Sequence, residues 1–104
     1  MQRDARLALS TPVVLTWNDD RGDIKFVRGH AVDISVSGLL VEVCESIPLR
    51  SYVSLNAPKI SLTTSASVRH CIGMAGKYHV GLEFSCPMKN LVDRLARQAA
   101  APPQ

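Results

Sequence analysis

Apolar residues recur at every second position along most of the chain, then at every third or fourth position near its end. A period of two is that of a half-buried strand, because successive side chains point to opposite faces. Pro12–Trp17, rich in β-branched residues, predicts the first strand. Proline is tolerated at its start because a first residue can do without a ladder donor. The cluster Asn18-Asp19-Asp20-Arg21-Gly22-Asp23 has hairpin-turn chemistry. Ile24–Ser35 is a second, long strand. Phe26, Arg28, His30, Val32 and Ile34 share one face of it; Lys25, Val27, Gly29, Ala31, Asp33 and Ser35 share the other. Neither face is apolar throughout, so a bend or bulge at Gly29 is expected to exchange them. Leu39–Cys44, Tyr52–Leu55, Ile60–Ile72 and Lys77–Phe84 predict four more strands. Glu45–Arg50, with Pro48, reads as a connection, and Gly73-Met74-Ala75-Gly76 as a turn.

Met88, Leu91, Val92 and Leu95 then fall at i, i+3, i+4 and i+7, one stripe of an amphipathic helix. Ser85 or Cys86 can cap it, Pro87 suits its first position, and Arg94 and Arg97 complement the dipole near its end. The stripe is expected to pack over the open end of a small barrel. The fold class is therefore all-β with a C-terminal helix: a six-stranded antiparallel β-barrel capped by one α-helix. Residues 1–11, without periodicity, read as a flexible N-terminal arm, residues 12–98 as the barrel plus helix, and residues 99–104 (AAAPPQ) as a disordered tail.

The chain has 104 residues, enough for one core, with 46% hydrophobic and 20% charged residues. No apolar run approaches the roughly 20 residues a membrane helix needs. The first residues are polar and charged, without the apolar stretch of a leader. A cytoplasmic protein without membrane insertion is expected. The net charge of +3 suits a phosphate-bearing ligand but is not gathered into a basic tract, which argues against an extended nucleic-acid footprint. Trp17, Phe26, Tyr52, Tyr78 and Phe84 are too dispersed for the stacking platform of a single-strand binder. Cys44, Cys71 and Cys86 are far apart and odd in number, so each is expected to be a small buried hydrophobe. His30, His70 and His79 are scattered, and Asp19, Asp20 and Asp23 lack the alternating oxygens of a calcium loop. No nucleophile elbow joins Ser, His and Asp. The expectation is a protein that is not an enzyme, with no catalytic residues, metal or cofactor.

One stretch remains, Asp33-Ile34-Ser35-Val36-Ser37-Gly38. Asp33 and Ser35, two apart, point to one face of a strand; Val32 and Ile34 point to the other. Ser37-Gly38 breaks the run, and Leu39-Leu40-Val41 starts the next. Glycine permits either a positive φ or a close backbone approach. The turn thus presents a carboxylate, a hydroxyl and free backbone donors. Such residues also serve simply to satisfy turn backbone. As a ligand site, Asp33 offers acceptors to a guanine edge or an arginine, and Ser35 offers a hydroxyl to phosphate. An arginine of Gln2-Arg3-Asp4-Ala5-Arg6 can fork onto phosphate or stack on a base. A guanine nucleotide with exposed phosphates satisfies all three.

Asp33, Ser35 and Gly38 match the D-x-S-x-x-G motif of PilZ domains, which the chain resembles over residues 2 to 97. The arginine-bearing arm ahead of Pro12-Val13-Val14-Leu15 agrees with that family, and Tyr78–Phe84 looks like its last barrel strand. The resemblance implies cyclic di-GMP as the ligand, often held as a stacked pair, where the arm meets the barrel. It implies Gln2, Arg3, Arg6, Asp33, Ser35 and Gly38 as ligand-binding residues. It also implies a receptor or adaptor that controls motility, exopolysaccharide production or virulence through a protein effector, without catalysis. The chain departs from the family at the arm. The spacing R-x-x-x-R that ends on Arg6 begins at Gln2, and Arg3 stands at R-x-x-R spacing. A lost ion contact costs roughly 1.5–3 kcal/mol; a small register shift would let Arg3 supply it. The alternative reading is a PilZ-like protein-interaction adaptor that no longer binds nucleotide.

Overall fold

The alternating stretches form six antiparallel strands and the helical stretch one helix, in a computed structural model that describes residues 5–100. The strands are β1 (Leu7–Asn18), β2 (Ile24–Ile34), β3 (Gly38–Val43), β4 (Tyr52–Ala57), β5 (Leu62–Met74) and β6 (Lys77–Phe84); α1 is Lys89–Ala100. They close a barrel in the order β1-β2-β3-β6-β5-β4, with β4 pairing back onto β1. Closure leaves the small sheet no open edge along its paired length. Inward positions carry the core, with Leu15, Ile34, Leu39, Leu55, Val68 and Val80 all fully buried. Burying each such side chain contributes about 1.5–3 kcal/mol.

Several bounds differ from the sequence reading. β1 starts at Leu7, inside the stretch read as arm, because Leu7 and Leu9 pack on the core and Leu7 and Ala8 pair with Ile34 and Asp33. A 3-10 turn at Pro58–Ile60 delays β5 to Leu62. The turn between β5 and β6 is only Ala75-Gly76, at φ 49° and 86°, the positive values a two-residue hairpin loop requires. Ile47, in the connection before β4, is fully buried and was not legible as core. The cysteines do not fill the core. Cys44 and Cys86 are exposed and Cys71 half-buried, because none falls on a fully enclosed inward position.

The helix packs Val92 into the core, with Met88, Leu91 and Leu95 partly buried against it. Its cap is neither Ser85 nor Cys86. Met88 C=O accepts the first helical bond from Val92 N–H, and Ser85 is held in the barrel wall through Ser65. Met88 N–H donates to Val36 C=O at 2.8 Å, tying the helix start to the β2–β3 turn. Arg94 Nη2 donates to Ile60 C=O at 2.8 Å, tying a later turn to the 3-10 segment. The helix extends through Ala100, into the stretch read as tail; residues 101–104 lie outside the described residues. Among the described residues, no helix is long and apolar enough to cross a membrane.

The exchange of faces in β2 is not at Gly29, which pairs in regular register with Val13 and Val43. It lies at Val32, where Ala31 pairs with Val41 and Asp33 with the adjacent Leu40. One extra residue in β2 makes this a bulge. Ala31 and Ile34 consequently both face the core.

Candidate functional site

The bulge at Val32 decides where Asp33 points. Regular alternation from buried Ala31 would send Asp33 inward, at the cost of burying a carboxylate. With the extra residue, Asp33 stays partly exposed on the outer surface while Ile34 takes the inward place. The next residues form a tight, internally bonded turn. Ser35 N–H donates to Gly38 C=O at 2.9 Å, and Gly38 N–H donates to Ser35 Oγ at 3.1 Å. These two backbone donors, expected to be free, are therefore used. The buried Ser35 hydroxyl, which accepts from Gly38, also shares a hydrogen bond with Ser37 Oγ at 3.4 Å, in which either hydroxyl can donate. Phe84 N–H donates to Ser37 C=O at 2.8 Å, locking the turn to the end of β6.

Gly38 has no positive φ. Its need for glycine is contact: a Cβ there would overlap the Leu82 carbonyl oxygen of β6. Across β2, β3, β6 and β5 the paired residues Asp33, Leu40, Gly81 and His70 form one outward row. Gly81 lets the His70 ring lie directly on the backbone, where a Cβ would collide with the imidazole. The row is the floor of a groove of about 390 Å³, into which Ser35, Ser37 and Gly38 also open.

A second bulge lies on the same groove. Val68 pairs with Leu82 and His70 with the adjacent Gly81, so Arg69 is the extra residue of β5. Arg69 and His70 thereby both stand outside, next to each other, on the groove side. Arg69 Nη1 is 3.6 Å from Glu83 Oε1, with both side chains over half exposed. On the opposite wall Arg6 Nη1 donates to Asp33 Oδ1 at 2.6 Å. The Asp33 carboxylate is the less exposed partner, at 22% against 59% for Arg6. Among the described residues the groove thus carries two guanidiniums and two carboxylates, in one directly hydrogen-bonded pair and one looser, exposed pair that an incoming anion can compete for.

Of the six residues read as binding, the structure brings Arg6, Asp33, Ser35 and Gly38 to this one groove. Gln2 and Arg3 lie outside the described residues. Arg69, His70, Gly81 and Glu83 are in the groove and were not singled out from the sequence as ligand-facing. Farther along β3 and β6, Glu42 accepts from Lys77 Nζ at 3.2 Å and contacts His79 Nε2 at 3.1 Å. The His79 bond, then that of Lys77, holds the Glu42 carboxyl below its ordinary value. Among the described residues, no group of three or more His, Cys, Asp or Glu is placed to hold a metal ion.

Comparison with known proteins agrees with this architecture. The barrel superposes on MrkH of K. pneumonia in its complex with c-di-GMP, with a TM-score of 0.67 at 14% identity, over 95% of this chain and 52% of that one. MrkH in its apo state gives 0.62 at 14% identity, over 95% and 50%. The chain therefore spans about half the length of MrkH. The PilZ domain of YcgR from Escherichia coli, with c-di-GMP, gives 0.59 at 13% identity, over 95% of this chain and 96% of that one. At these identities the likeness is one of fold. The chain has no match among curated protein sequences. The model of the PilZ domain family matches residues 2–100, which include the closed barrel, the D-x-S-x-x-G turn and the helix. The chain belongs to the PilZ domain family.

Proposed function

We propose that this domain is a cytoplasmic receptor for c-di-GMP that binds in the groove between Arg6 and the Asp33-to-Gly38 turn and acts on a protein effector, without catalysis. The observation that carries it is the Arg6–Asp33 pair, which seats the arginine-bearing segment directly against the motif. A cyclic dinucleotide offers what these residues recognise. Its phosphodiesters are anions for a forked guanidinium, and its guanine edges donate to a carboxylate. A phosphate oxygen can accept from the hydrogen-bonded Ser35–Ser37 hydroxyl pair, which lines the groove. The arm residues Gln2 and Arg3 complete the ligand shell in this reading. Titration calorimetry with c-di-GMP up to about 100 μM tests it. Arg6→Ala and Asp33→Ala are each expected to weaken binding about tenfold to a hundredfold, on the scale of a lost charged hydrogen bond, with the fold intact. Normal binding by both variants would move the site elsewhere.

Gln2 favours a second reading, since the arm position that pairs with Arg6 carries no charge. The domain would then be an adaptor that docks its effector without nucleotide. A partner pull-down that is indifferent to added c-di-GMP, together with silent calorimetry, would select it. Control of motility, exopolysaccharide production or virulence would be the output of either form.

A further inference from the structure

The groove holds an arginine that the arm-and-turn reading does not use. We propose that Arg69 is the second phosphate-binding cation of this site, standing in from the barrel wall for the charge the arm lacks at Gln2, with Glu83 as the counter-ion that holds it in the empty groove. The inference rests on the receptor reading above.

Three observations carry it. The first is the bulge. β5 spends an extra residue at Arg69, between the Val68–Leu82 and His70–Gly81 pairs. Bulges re-aim side chains beside functional sites; alternation from buried Val68 already turns Arg69 outward, and the extra residue brings His70 out beside it, so that both line the groove. The second is the weakness of what holds Arg69 now. Its contact to Glu83 is 3.6 Å, beyond hydrogen-bonding distance, between side chains 62% and 54% exposed. Little is lost when the guanidinium leaves it. The third is charge balance. A cyclic dinucleotide carries two phosphodiester anions, and the described part of the arm supplies one guanidinium, Arg6. Arg69 lines the same groove and is fixed on a strand, so less freedom is lost in ordering it than in ordering an arm residue. Glu83 is then an internal competitor: it occupies Arg69 when ligand is absent and repels phosphate when ligand arrives.

That competition makes a directional test. c-di-GMP binding is measured by calorimetry for the wild-type chain and the variants Arg69→Gln, Arg69→Lys, Arg3→Ala, Arg6→Ala and Glu83→Gln, with urea midpoints as fold controls. Arg69→Gln is expected to weaken binding about tenfold or more and to flatten its salt dependence, because one screened charge contact is gone. Arg69→Lys should recover part of the loss, keeping charge without the fork. Glu83→Gln should tighten binding several-fold, an increase that a merely structural role for the pair would not produce. Arg3→Ala should have the smaller effect of the two arginines.

If Arg69→Gln binds within twofold of wild type and Glu83→Gln is neutral while Arg6→Ala loses binding, the receptor reading stands and the role of Arg69 is overturned. If Arg3→Ala takes the full loss, the second cation lies on the arm and the role of Arg69 is likewise overturned. Silence of the wild-type chain would overturn both.

Discussion

Gly38 and Gly81 stand on neighbouring strands of the same groove, yet replacing each by alanine should cost very different amounts of stability. At Gly38 the new methyl meets the Leu82 carbonyl oxygen, which is backbone of β6. That carbonyl cannot move alone, since β3 and β6 are paired continuously from Gly38–Glu83 to Val43–Tyr78. Relief requires separating the strands where the turn, β6 and the helix start are joined. Overpacking of this kind costs about 1–3 kcal/mol, and rigid backbone places it at the upper end, about 3 kcal/mol. At Gly81 the three atoms nearest the methyl all belong to the His70 ring. Holding that exposed ring about 30° off its rotamer costs about 0.5–1.5 kcal/mol, partly offset by the lower entropy of alanine in the unfolded chain. With a urea m-value of about 2 kcal/mol per M, Gly38→Ala should lower the unfolding midpoint by about 1.5 M and Gly81→Ala by less than about 0.5 M. Binding should not follow stability. Gly81→Ala fills the floor of the groove and displaces His70, so c-di-GMP binding should fall in a protein that remains folded. Equal midpoints for the two variants would refute the argument from close approach, and full binding by Gly81→Ala would remove the floor from the site.

Two other features give measurable outcomes. Thr11 Oγ1 is buried with no hydrogen-bond partner among the described residues; Thr11→Val keeps the shape, removes the unmet polar atom, and should raise stability by about 1 kcal/mol, seen as a thermal midpoint about 4–8 °C higher, whereas a lower midpoint would mean that the hydroxyl is satisfied. Glu42 has its carboxyl held low by His79 and Lys77, so its contribution is present above the ordinary glutamate value and is lost as pH falls through the depressed folded value; Glu42→Gln should therefore flatten the acid limb of the stability curve from the ordinary glutamate value downward, and an unchanged limb would refute the coupling.

Strands β3 and β6 were legible to within a residue because each has one face in the core and one in solvent, which writes a clean period of two. The helix stripe was legible for the same reason at its own period. Their termini were not. Leu7-Ala8-Leu9-Ser10 alternates as well as any strand here, but its neighbours Asp4 and Arg6 made the segment read as solvated. The helix start depended on Met88 N–H finding Val36 C=O, a contact 52 positions apart that no local capping pattern encodes. For the cysteines residue type points to the core, but position on the strand decides. Cys44 follows the inward Val43 and must therefore point out.

The most consequential features were written as breaks in phase. In a regular strand, inward apolar residues are two apart. In β2 the buried Ala31 and Ile34 are three apart, and in β5 the buried Val68 is followed by the half-buried Cys71 at the same spacing. A three-residue step inside a strand has one physical solution, an extra residue that leaves the ladder. The residues thrown outward by these steps are Asp33 in one strand and His70, beside the already outward Arg69, in the other. An unpaired carboxylate turned into the core would cost more than the ladder bond lost at a bulge. The same two steps that keep Asp33 and His70 out of the barrel therefore gather them, with Arg69, on one groove. Search for the motif alone finds the first of them; search for the phase break finds both.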